Sequence, residues 1–252
     1  MPRQGLLFLA VPDAAVRDMA ARVAGLGPPP GLSVVHVSGA LGLDALNPLR
    51  DHAIGSFHPL QSFSAPREPE AWRGITVAVD ASTPALLAQL KRLARGVGAK
   101  PKHVTDDQRV LYHAAAVFAS NYVIASVAEG VRLLEELGWE RADAEAALVP
   151  LVEGVVANLG RQGVVKALTG PIRRGDTATV RRHLEALRKP RSPSGPSGHL
   201  PINGEESFHL YRMLGLVALG VAREAGLDPA AAERTRRALT RNVAATRRRR
   251  GR

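Results

Sequence analysis

GLLFLAVPDAAVRDMAARVAG, residues 5–25, decides the fold. Its first seven residues, 5–11, are an apolar run of strand length, the way a strand covered on both faces of a parallel sheet reads. Pro12 suits a helix entrance, where the missing N–H costs no hydrogen bond, and Gly25 sits past the helix end. A strand feeding straight into a helix is half of a β–α–β unit, so the chain opens as an α/β sheet. The turn between the two is not glycine-rich: GxGxxG, which holds a pyrophosphate against a helix N-terminus, is absent here and elsewhere in the chain.

The same alternation continues outward. LSVVHVSG (32–39) reads as a second buried strand, LGLDALNPL (41–49) as a short helical piece, AIGSFHPL (53–60) as a third strand and ITVAVD (75–80) as a fourth. TPALLAQLKRLARGVG (83–98) is an amphipathic helix and PKHVT (101–105) a last short strand, giving an open, parallel-leaning sheet. From Thr105 the pattern becomes helix after helix. Thr105 and Gln108 make a capping box, and apolar periodicity runs from Val110 to Leu137 before Gly138 stops it. That predicts one helix of about 30 residues, roughly 45 Å long. Further helices are predicted at 141–160, 163–168, 176–188, 206–225 and 229–244, the last opened by Asp228 as cap and Pro229. KPRSPSGPSGHLPINGEE (189–206) predicts a flexible loop. There is no internal repeat.

Composition limits the function classes. With 252 residues, 45% hydrophobic and 23% charged, the chain can bury a core and divide into two domains. No run of about 18 uncharged apolar residues is expected, and MPRQGLLFLAVPD lacks a secretory layout, so the cytoplasm is the expected location, with no membrane partner. The absence of cysteine excludes disulfides, thiolate zinc sites and a cysteine nucleophile, and no HExxH spacing points to another metal site. The net charge of +11 suggests nucleic acid, yet nine arginines lie in residues 234–252 and leave the remainder nearly balanced. With only 4% aromatic residues to stack on bases, a specific nucleic-acid partner is not expected. Residues 245–252 read as a disordered Arg-rich tail.

Candidate site residues stand where strands end and where one helix turns small. LYHAAAVFASN (111–121) sets Ser120 about 20° and Asn121 about 80° from His113 on a helical wheel, with alanines leaving room beside them. His113 is suited to proton transfer near neutral pH, with Ser120 and Asn121 orienting a ligand; equally it serves as a structural bridge. His58, before Pro59 and followed by Gln61, ends a strand where open α/β sheets bind ligands. Ser38 and Gly39 end another, and Gly39 permits close approach or is an ordinary turn glycine. In LTGPIRRGD, Thr169, Arg173 and Arg174 are offered from a turn. Their guanidinium forks match carboxylate or phosphate, or else pair with Asp176 or fix a helix end. Asn158 reads as a helix C-cap or a ligand contact, and Asp176 as a helix cap.

AVPD (10–13), HVSGALGLDAL (36–46), SFHPLQSF (56–63), LYHAAAVFASN (111–121) and LTGPIRRGDTATVRRHLEAL (168–187) together resemble one family. It comprises Rossmann-like candidate oxidoreductases with a C-terminal domain of unknown function 2520, relatives of the 6-phosphogluconate dehydrogenase and pyrroline-carboxylate reductase group. The resemblance implies an α/β plus all-α fold. Residues 1–105 would be a partial Rossmann-like dinucleotide-binding domain without its first strands, and 106–244 a helical, dimer-forming 6-phosphogluconate dehydrogenase C-terminal-like domain. A cleft between them would hold a small, anionic substrate. It implies NADP or NAD as cofactor near Pro12, Asp13, Ser38 and Gly39, since AVPD resembles the strand that passes beneath the nicotinamide. His113 and Asn121 would be catalytic, and His58, Gln61, Ser120, Asn158, Thr169, Arg173 and Arg174 would bind substrate. Relatives often carry a lysine in the equivalent helix; none occurs between residues 103 and 165. The missing glycine-rich turn implies an N-terminal truncation or misassigned start and leaves a non-catalytic metabolite-binding or scaffold protein as the alternative.

Overall fold

The computed structural model describes residues 4–188 and 204–241. It falls into two compact units, Met1–Ala125 and Ser126–Arg252.

In the first unit β1 (Gln4–Leu9), β2 (Gly31–His36), β3 (Ile54–Pro59), β4 (Thr76–Ala81) and β5 (Lys100–His103) form one sheet in the order of the chain. β1, β2 and β3 are parallel because α1 (Asp13–Gly25) and a 3₁₀ segment (Leu43–Leu49) carry the chain back between them. Between β3 and β4 only the short 3₁₀ segment Pro69–Trp72 intervenes, so the chain returns antiparallel, a departure from an all-parallel sheet. α2 (Pro84–Gly96) restores a parallel pairing of β4 with β5. Alternate strand residues feed opposite layers. Val34 and Ile54 pack with Val16, Ala20 and Val23 of α1 and with Leu46 and Leu49. Val35, Phe57, Val77 and Val79 pack under Leu86, Leu90 and Ala94 of α2. Both faces are covered, which is why these strands read as continuous apolar runs.

α3 (Asp106–Ala119) begins at Thr105, and Thr105 and Gln108 close the expected capping box. The expected single long helix is interrupted: Ser120 leaves helical geometry at φ −129°, ψ −78°, and α4 (Asn121–Glu135) follows. Ser120 Oγ donates to the Ala116 carbonyl at 2.7 Å, a back-bond that bends helices. The expectation that no long uncharged stretch exists also needs correction. Residues 110–128 contain no Asp, Glu, Lys or Arg. By length and composition the helical run Asp106–Glu135 is apolar enough to cross a membrane.

The second unit contains α5 (Arg141–Ala167), α6 (Gly170–Arg173), α7 (Thr177–Leu187), α8 (Gly204–Glu224) and α9 (Pro229–Thr240). Inside α5, Gly163 at φ 73° makes the kink that separates the two helices expected at 141–160 and 163–168. Asp176 accepts from the Thr179 N–H and Asp228 from the Ala231 N–H, the caps read from the sequence. Val180, Leu184 and Leu187 of α7 meet Phe208 and Leu219 of α8 and Ala232 and Leu239 of α9 in its core. Residues 189–203 of the expected loop lie outside the described residues, whereas 204–206 belong to α8. The tail 245–252 also lies outside them.

Candidate functional site

Three residues that the sequence offers from separate segments meet in the first unit. Gly39 follows β2, His58 lies in β3, and His113 is in the second turn of α3. A methyl group placed on Gly39 would lie 2.7 Å from His58 Nε2 and 2.9 Å from His113 Nδ1. The edges of both imidazoles therefore pack directly against Gly39, where only glycine fits between them. The His113 Nδ1 atom is buried without a hydrogen-bond partner. A buried polar atom left unpaired costs about 1–3 kcal/mol unless something else satisfies it, which makes His113 Nδ1 a candidate ligand contact.

Behind the histidines stands Arg109, fully buried at 0% exposure. Its guanidinium donates to Ser56 Oγ, to the Val104 carbonyl at 3.3 Å and to the Ser38 carbonyl at 3.5 Å. Its Nε lies 3.8 Å from Asp106 Oδ1, and that carboxylate also accepts from the Leu43 N–H at 3.0 Å. Arg109 and Asp106 thus tie the first turn of α3 to the ends of β2 and β3. Desolvation pushes the Arg109 pKa down while Asp106 and Asp80 pull it back up.

This arrangement keeps the neighbouring imidazoles neutral. Burial, then His113 and Arg109, lowers the His58 pKa to about 4, against a small opposing pull from Asp13. His58 Nδ1 is 2.9 Å from the Tyr112 hydroxyl, whose own pKa burial raises. Near neutral pH a single proton is therefore shared between the phenol oxygen and Nδ1, and the other ring nitrogen, Nε2, faces Gly39. His36, fully buried beside Ser56 in the sheet register, is lowered to about 4 by burial and then by Arg109. Its Nδ1 accepts from the Ser38 N–H at 3.2 Å.

The remaining sequence candidates are placed as follows. Ser38 Oγ accepts from the Ala40 and Leu41 N–H groups at 3.1 and 3.0 Å, so it shapes the turn that presents Gly39. Ser120 and Asn121 bond each other at 2.9 Å at the helix break. Gln61 is exposed, its side chain accepting from the Ser62 N–H. Pro12 and Asp13 form the N-terminus of α1. In the second unit, Asn158 lies within α5 and accepts from Arg161 at 2.7 Å; it does not cap the helix end, because the helix continues to Gly163. Arg173 donates to the Ala225 carbonyl at 3.0 Å, while Thr169 and Arg174 flank α6 and are exposed. Arg109, Tyr112, His36 and Ser56 were not singled out from the sequence. Arg109 alone carried a signal, as a cation three residues after Asp106 in an otherwise apolar helix.

The pyrophosphate of a dinucleotide does not fit the β1–α1 connection. Pro12 is the N-cap and has no N–H, Asp13 puts a carboxylate in the first turn, and the Ala15 N–H is spent on the Pro12 carbonyl at 2.8 Å. The sheet order also runs from β1 to β5 without the reversal at which such folds open their crevice.

Comparisons with known proteins agree on the fold. A Rossmann-like domain matches residues 2–59. A candidate NADP oxidoreductase from Bacteroides fragilis superposes with a TM-score of 0.66 at 22% identity, covering 84% of this chain and 74% of that one. Protein TM1727 from Thermotoga maritima superposes at 0.67 with 25% identity, covering 86% and 78%. An NADH-preferring ketol-acid reductoisomerase from an uncultured archaeon gives 0.51 at 13% identity, covering 92% and 63%. No curated protein matches the sequence. The domain of unknown function DUF2520 matches residues 75–216, more than half of the sequence, and the chain belongs to that family.

Proposed function

We propose that the chain serves nicotinamide-dependent oxidoreduction of a small anionic metabolite, with the region beside the His58–Gly39–His113 contact receiving the oxygen or nitrogen of the reacting group. The observation that supports this reading is the convergence of His58 Nε2 and the unpartnered His113 Nδ1 on Gly39. Nicotinamide supplies hydride when bound; this chain's own contribution is proton handling. With the Tyr112 hydroxyl donating to His58 Nδ1, Nε2 carries the ring proton and presents it to a ligand oxygen. Arg109, held behind the pair, favours negative charge developing there. A second copy of the chain is the proposed partner, as the resemblance implies. Leu210, Met213, Leu214 and Val217 make an exposed apolar stripe on α8 at the spacing that suits a facing helix.

The test is consumption of NADPH and NADH with a panel of small 2-oxo acids and cyclic imino acids, and reduction of NADP+ and NAD+ with one of small 2-hydroxy acids, at roughly millimolar concentration. Turnover with one member, lost in His113→Ala at unchanged cofactor affinity, is the expected result. The poor fit at Pro12 and Asp13 favours a second reading, a metabolite-binding protein without redox activity. Ligand binding with neither cofactor binding nor turnover would establish that reading instead.

A further inference from the structure

The second unit contains a cavity of about 520 Å³ that the site beside Gly39 does not use. Arg181 of α7, Arg188 just past its end, Arg237 of α9 and Arg241 just past its end line it together with Phe208 of α8, and Glu185 is the only carboxylate among the described lining residues. Arg237 is already paired with Glu233 at 2.9 Å. Arg181, Arg188 and Arg241 have no ion pair among the described residues, and Glu185 forms none with them. Two guanidinium groups crowd one ring, Arg188 at 4.3 Å and Arg212 at 5.4 Å from the Phe208 centroid. Burial and the proximity of Arg212 hold Arg188 below the usual guanidinium range.

Four arginines around one concave surface concentrate positive potential there, which an entering anion neutralises. Arginine forks bind phosphate oxygens bidentately, so a ligand with several adjacent phosphate oxygens satisfies more than one of them at once. A volume of this size also exceeds a lone inorganic anion and lies within the range of metabolite sites. From the cavity, its unpaired arginines and its single acid we infer that it binds a metabolite bearing a di- or triphosphate group. The arginines come from turns and helix ends that the α7–α8–α9 core holds rigidly, since Leu184, Leu187, Phe208 and Leu239 are all buried. The site is independent of nicotinamide chemistry.

Calorimetric titration of the full chain with ADP, inorganic pyrophosphate and adenosine, at near-physiological salt and without nicotinamide, tests it. ADP should bind and adenosine should not; binding of pyrophosphate as well would show that the phosphates alone suffice, and its absence that the organic body contributes. The double variant Arg181→Gln/Arg241→Gln should lose at least about tenfold in affinity at an unchanged melting temperature, since both side chains are exposed. Arg248→Gln/Arg249→Gln, in the C-terminal arginine run, should bind like the wild type. The inference is overturned if ADP does not bind, if the cavity variant binds undiminished, or if the C-terminal variant is the one that loses binding. Failure of this experiment leaves the proposed redox function standing, and the reverse also holds.

Discussion

Burial, with Arg109 beside them, governs the titration of two histidines. His36 and His58 are held near about 4 in the folded chain against 6.5 for a free imidazole. The unfolded chain takes up protons that the folded one refuses as pH falls below 6.5, so this stability is fully present above 6.5 and lost as pH falls towards 4. For fully buried His36 the effect is on the order of 3 kcal/mol. Urea midpoints measured across that range should fall with acidity, and His36→Gln should flatten the slope. Replacing Arg109 by methionine removes three hydrogen-bond donations and strands the Ser38 and Val104 carbonyls. We expect a loss of about 3 kcal/mol in denaturant unfolding. In NMR titration the His58 pKa should rise, because Arg109 is one of the groups depressing it.

At the level of elements, strand edges and helix caps were legible because their signals are local. Thr105 with Gln108, Asp176 and Asp228 each cap the helix that the sequence assigned to them. The break at Ser120 was not legible: apolar periodicity runs through it undisturbed, and the competing bond from Ser120 to Ala116 depends on backbone geometry. Nor was the reversed direction of β4, which follows from what fails to cross between β3 and β4 rather than from β4 itself. That antiparallel pairing is tight at one point. A methyl group on Gly55 would come within 2.9 Å of the Asp80 carbonyl and 3.1 Å of Leu90. Gly55→Ala should therefore cost about 1–3 kcal/mol, read as a lowered thermal midpoint, although alanine usually favours ordered backbone.

For the whole molecule, the change from alternating strands to successive helices at Thr105 was legible, whereas the two compact units part between Ala125 and Ser126, inside the helical run. The site was half legible. Gly39, His58 and His113 could be named because each carries a distinctive residue type at a strand end or on an alanine-rich helix. Tyr112 and Arg109 could not, since His58 lies 54 residues from Tyr112, and Ser56 and Ser38 lie 53 and 71 residues from Arg109, so only folding brings them together. If a second copy covers α8, Met213→Glu with Val217→Glu should convert a dimer to a monomer in sedimentation equilibrium while leaving the buried core untouched, both side chains being more than 60% exposed. A dimer unaffected by these changes would place the contact elsewhere. The central claim, that the reacting atom meets the two imidazoles beside Gly39, is tested most directly by Gly39→Ala, whose methyl group would push both rings aside. With the substrate found in the panel, the account predicts a fall in kcat/KM of at least about 100-fold with the fold retained at a lowered melting temperature, since the methyl group meets its neighbours more closely than at Gly55. Turnover equal to that of the wild type would contradict it.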